Sequence, residues 1–186
     1  MGCQKMLLPW RDTTVIGHLI SVWRGLGAGQ ITAVCDARNE PVHHELERLA
    51  FPKENRILNP HPETGMFGSI QCAARWPCWR EDLSHWIILL GDQPHLRGET
   101  LQSLIHRAGL EPHRIWQPAR QGIPRHPVIL PKPIFLELAG AIGPTFKDFL
   151  HERSNCRNLI ESDDPGLDFD LDTPADYEKV RRLSAE

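Results

Sequence analysis

Apolar residues recur at helical spacing early in the chain, with Val15, Ile16, Leu19, Ile20 and Trp23 on one face between Thr13 and Arg24. Such a stripe predicts an amphipathic helix, which the glycines of Gly25-Leu-Gly-Ala-Gly29 stop. The pattern then alternates in period. Ile31 to Cys35 reads as a strand, Pro41 to Ala50 as a helix, Ile57-Leu58 as a short strand, and Phe67 to Arg75 as a helix opened by the turn Gly65-Met-Phe-Gly68. Trp86 to Leu90 has no polar alternation, so it predicts a strand covered on both faces. Further on, Glu99 to Ala108 and Pro133 to Ala139 predict helices, while Arg114 to Gln117, Val128 to Leu130 and Asn158 to Glu161 predict strands. A last helix, Tyr177 to Leu183, is signalled by Thr173 as cap, Pro174 at the first helical position and Asp176 as the capping carboxylate. Repeated strand-helix alternation predicts a Rossmann-like three-layer α/β/α fold with a mostly parallel sheet and helices on both faces.

Length changes this picture little: 186 residues suit a single domain over 1–186. The net charge of −3, with Lys and Arg scattered, leaves no electrostatic footprint for nucleic acid or an anionic membrane. Five cysteines, widely spaced and without a CxxC pair, read as reduced thiols rather than a zinc site or a disulfide frame. No run approaches the ~20 apolar residues of a membrane span, so the expectation is a soluble, cytoplasmic protein.

Candidate chemistry centres on His85 to Leu96, where the apolar run passes straight into Gly91-Asp92 and leaves one carboxylate at the strand's end. An open α/β sheet keeps its ligand there, although an aspartate after a strand also caps turns. Three other pieces share polar character: Met1-Gly-Cys-Gln-Lys5-Met-Leu-Leu-Pro9-Trp10, Gly122-Ile-Pro-Arg-His126-Pro127 and Asp168-Phe-Asp170-Leu-Asp172-Thr-Pro174. One basic group, one histidine and two sets of carboxylates suit a metal-bound triphosphate. Asp170 and Asp172 lie two apart, so an extended segment puts them on one face. The pair His43-His44 with Glu47 reads as an exposed helix face, and Trp76, Trp79 and Trp86 read as packing residues.

In order and spacing these pieces, with Asn59-Pro60 and Gly65-Met-Phe-Gly68-Ser-Ile70 between them, resemble the molybdenum cofactor cytidylyltransferases and related nucleotidyltransferases. The resemblance covers nearly the whole chain. It implies transfer of a nucleoside monophosphate, with CTP and molybdopterin as the favoured pair, pyrophosphate as the leaving group and Mg2+ as cofactor. A sugar phosphate as acceptor, or a nucleotide-binding accessory protein without turnover, are the alternatives. By the same resemblance Lys5 and Asp92 are catalytic, Gly2, Lys5, Pro9 and Asp92 bind nucleotide, and Asp92 and Asp172 hold the metal. His126, Asp170 and Asp172 lie on the acceptor side, and a molybdoenzyme or its chaperone is an implied partner.

The likeness breaks in three places. The family opens with a strand and a Leu-Ala-Ala-Gly-x-Ser-x-Arg loop just ahead of the Met-Gly that begins this sequence, so the chain is expected to be truncated, with Met1 an internal methionine and a noncatalytic relic the alternative. Arg125 stands where the family has glycine before His-Pro. The stretch Gly140-Ala-Ile-Gly143-Pro-Thr-Phe-Lys147 lacks the acidic and arginine residues of the cytidylyltransferases. The last two departures bear on molybdopterin as the acceptor.

Overall fold

The computed structural model describes residues 4–183. Its elements run β1 (Pro9–Trp10), β2 (Thr13–Thr14), α1 (Val15–Gly25), β3 (Ala33–Asp36), α2 (Glu40–Arg48), β4 (Arg56–Asn59), α3 (Gly65–Arg75) and β5 (His85–Ile88). They continue through α4 (Gly98–Leu110), β6 (Ile115–Arg120), β7 (Ile123–Pro124), β8 (Val128–Pro131), α5 (Lys132–Glu137), α6 (Phe146–His151), β9 (Arg157–Glu161) and α7 (Pro174–Leu183). Thr14 caps α1 by accepting the Gly17 amide at 3.2 Å. At α7, Thr173 and Asp176 cap one another, with Thr173 N to Asp176 Oδ2 at 2.9 Å and Asp176 N to Thr173 Oγ1 at 3.1 Å.

The main sheet has five strands. β5 and β6 flank β8, and β6 also pairs with β7 and β9. Only β6–β9 is parallel within it, while β3 and β4 form a separate parallel pair. The α/β class read from the alternating pattern therefore holds, with a more mixed sheet than that pattern predicts. The cause is a two-residue reversal at Gln121-Gly122, both at positive φ (52° and 74°), which turns the chain back after β6 and leaves β8 antiparallel to both neighbours.

Helices cover both faces. On one side Phe67, Ile70 and Ala74 of α3 and Phe135 of α5 pack with Trp86, Val128 and Leu130 of the strands. The Trp86 and Phe135 rings stack with centroids 4.6 Å apart. On the other, Leu104 and Ala108 of α4 cover Trp116 and Ile129. The tryptophans thus serve packing, Trp79 lying edge-on between Trp76 and Trp86.

One expectation changes. Ile87 to Leu90 are half-buried rather than covered on both faces, because no ladder joins β3 to β5 among the described residues. A slot of 430 Å³ separates these two strands, lined by Ile20, Trp23, Val34, Ile70, Trp86 and Ile88, with Met6 and Gly91 also on its wall.

Candidate active site

Past β5 the backbone turns at Gly91 and presents Asp92. A short 3-10 turn, Lys5–Leu7, lies directly against this point. A Cβ on Gly91 would stand 2.5 Å from Met6 Sδ, the far end of a flexible side chain that would have to shift. Lys5 consequently reaches two carboxylates from distant parts of the chain. Its Nζ lies 3.3 Å from Asp92 Oδ2 and 2.5 Å from Asp172 Oδ1. The hydrogen bond to Asp172 raises the lysine pKa above its ordinary value, against desolvation and helped by the charge of Asp92.

Asp172 arrives there because its neighbour is anchored. Leu171 is fully buried with Trp10, Val15, Leu19 and Val180, so the aspartates on either side of it are turned toward the site. Asp170 accepts a 2.8 Å bond from Gln93 Nε2, which belongs to the same turn as Asp92. Asp170 and Asp172 are thus met by Gln93 and Lys5, while the Asp172 amide donating to the Asp170 carbonyl at 3.0 Å bends the segment away from the extended form that a shared face assumed.

Beneath this segment lies a polar knot that pattern reading misses. Asp164, 1% exposed, accepts the Arg97 amide and Thr100 Oγ1 through Oδ2, both at 2.9 Å, and the Gly166 amide through Oδ1 at 2.8 Å. His95 Nε2 donates to the Gly166 carbonyl at 2.9 Å. The knot ties the chain before Asp168 to the start of α4. Gln93, His95 and Asp164 carry no periodic signal; only the nearness of the first two to Asp92 in sequence could have flagged them.

His126 is half-buried, and desolvation pushes its pKa below the ordinary histidine value against the backbone of Ile88 and the charges of Asp170 and Asp92. Its buried Nδ1 has no hydrogen-bond partner among the described residues. Arg125 points to a different group. Its Nη2 donates to Asp168 Oδ1 at 2.7 Å while Arg120 Nε donates to Oδ2 at 2.6 Å, so two guanidiniums share one carboxylate. The Arg120 bond, then Arg125, holds that carboxyl below the usual range against desolvation.

Lys5, Asp92 and Asp172 are thus brought together, with Asp170 tied to the same turn through Gln93. Pro9 is not: its carbonyl accepts the Tyr177 hydroxyl, tying it to α7. Gly2, expected at the nucleotide, lies outside the described residues. His43 bonds the Asp36 carbonyl at 3.1 Å and Glu47 pairs with Lys53 at 3.2 Å, as an ordinary helix face does. Among the described residues no helix is long and apolar enough to cross a membrane.

Hard carboxylate oxygens are the donors a divalent metal takes; here Asp92 and Asp172 converge on the Lys5 ammonium, and among the described residues no group of three or more metal-ligating side chains occurs. An open α/β sheet keeps its ligand past the carboxyl ends of its strands, and the relatives of this chain make it a nucleotidyltransferase. Residues 1–158 match the MobA-like NTP transferase domain, and the chain belongs to that family. It is 25% identical to the molybdenum cofactor cytidylyltransferase of Escherichia coli (strain K12), over 95% of this chain and 86% of that protein. The manganese complex of Rv0371c from Mycobacterium tuberculosis H37Rv is similar in fold, with TM-score 0.68 and 24% identity over 97% of this chain and 93% of that one. A nucleotidyl transferase from Methanothermobacter superposes with TM-score 0.76 at 18% identity, covering 98% of this chain and 86% of that one.

Proposed function

We propose that this nucleotidyltransferase moves CMP from CTP to a phosphorylated acceptor, with molybdopterin favoured, and releases pyrophosphate in a Mg2+-dependent reaction. The observation that carries the reading is the Lys5 ammonium held between Asp92 and Asp172 at the end of β5. The E. coli relative supports the choice of nucleotide and acceptor.

In this reaction an acceptor phosphate oxygen attacks the α-phosphorus, and the bond from that phosphorus to the pyrophosphate oxygen breaks. Such a transfer needs little covalent help but much positioning and charge neutralisation. Lys5 supplies a point charge for the leaving pyrophosphate. Asp92 and Asp172 would hold Mg2+, which when bound neutralises phosphate charge. Gln93 fixes Asp170. His126, half-buried beside Phe146, stands on the acceptor side by the family pattern.

A second reading keeps the chemistry and changes the acceptor to another phosphorylated molecule, such as a sugar phosphate. Arg125 in place of the family's glycine, clamped on Asp168, is the observation behind it. Incubation with each labelled nucleotide and each candidate acceptor, followed by pyrophosphate release and product identification, decides. Release with CTP and molybdopterin supports the first reading, release with a sugar phosphate alone supports the second, and no release from any pair counts against both.

A further inference from the structure

Lys5 faces two demands that cannot be met in one position. To neutralise a triphosphate its ammonium has to lie against phosphate oxygens, yet here it lies 3.3 Å from Asp92 Oδ2 and 2.5 Å from Asp172 Oδ1. Those are the oxygens a divalent cation would need at about 2.1 Å. An ammonium donating to a carboxylate oxygen and a metal ligated by the same lone pairs exclude one another, and their like charges repel over a few ångströms. The turn carrying Lys5 is a single 3-10 stretch, and the lysine side chain remains about a third exposed (34%), so it has room to swing.

We propose that Lys5 is a built-in substitute cation: in the nucleotide-free protein it occupies the position between Asp92 and Asp172, and it yields those carboxylates to a divalent cation only when triphosphate oxygens take its ammonium. This rests on the reading of Asp92 and Asp172 as cation ligands. The two carboxylates then keep a cationic partner in both states, the ammonium without nucleotide and the metal with it. Metal and nucleotide consequently bind with strong positive coupling, and by linkage each tightens the other by the same factor. Free metal is kept out of an idle site.

The test uses the full chain and Mn2+ alone, with free Mn2+ read by electron paramagnetic resonance and no turnover required. Wild-type protein is titrated with and without a non-hydrolysable CTP analogue. Lys5→Met and Lys5→Gln are titrated in the same way, each after a melting curve shows that it is folded. Without nucleotide, both variants are expected to bind Mn2+ about tenfold more tightly than wild type, the scale of removing one unit charge beside the site. The analogue should tighten Mn2+ binding to wild type by a similar factor and to the variants by much less. Adding Asp92→Asn to Lys5→Met should abolish the gain.

Equal or weaker binding by the lysine variants overturns the inference and leaves the metal reading standing. A gain that survives Asp92→Asn also overturns it, because the ion then lies elsewhere. If wild type alone can be tested, Mn2+ affinity that ignores the nucleotide analogue is sufficient to reject it. No Mn2+ binding in any combination removes the metal reading and this inference together.

Discussion

At the residue scale, the site depends on a few charges whose partners are unusually distant in sequence. Asp92→Asn keeps the shape of the carboxylate but removes its charge, and its pyrophosphate release under saturating nucleotide is expected to fall at least about a hundredfold, equivalent to ~3 kcal/mol of transition-state stabilisation. An unchanged rate would take Asp92 out of the mechanism. Protonation gives a second prediction. His18, His95 and His126 are all held below the ordinary histidine value, chiefly by burial. As pH drops below about 6.5 the unfolded chain takes up protons that the folded chain refuses, so stability is lost on acidification. The melting temperature should therefore fall between pH 7.5 and 5, and His126→Asn should flatten part of that fall. A flat profile would show that these rings are not buried as neutral species. Asp168 acts in the same direction, but only near and below its ordinary value of 3.8.

Among the elements, those with a period or a cap were legible. α1 follows from its apolar stripe, and α7 from Thr173, Pro174 and Asp176, whose reciprocal bonds the structure contains. β1, β2 and β7 were not, since two residues cannot show alternation, and the short α6 is announced only by Thr145 and Asp148. The main site was partly legible for the same reason: Gly91-Asp92 ends an apolar run, whereas the Asp164 knot joins residues 67 apart through a carboxylate with no local signal. That knot matters to the segment it anchors. Asp164→Ala leaves two amides and a hydroxyl without their buried acceptor, at a cost of about 1–3 kcal/mol, and loosens the segment leading to Asp170 and Asp172. Urea unfolding should show the loss, and turnover should drop with it. A fully stable and fully active variant would show that the knot positions nothing.

For the whole molecule, the slot between β3 and β5 dominates. Two strand edges with unused backbone groups face one another across an apolar gap, an arrangement that costs stability until another strand pairs with both. The chain carrying an added apolar strand that pairs with both edges is expected to melt several degrees higher than the 186-residue chain. It should also bind nucleotide more tightly, as thermal shift with CTP would report. Identical melting of the two chains would argue that nothing belongs in the slot.

The Lys5–Asp172 contact spans 167 residues, nearly the full length of the chain. During synthesis the lysine is made 167 residues before its carboxylate, a wait of roughly ten to thirty seconds at about 5–20 residues per second. A nascent chain still short of Asp172 lacks half of its cation cradle, however much of the sheet has already folded. Until Asp172 has been made, Lys5 has Asp92 alone for a partner.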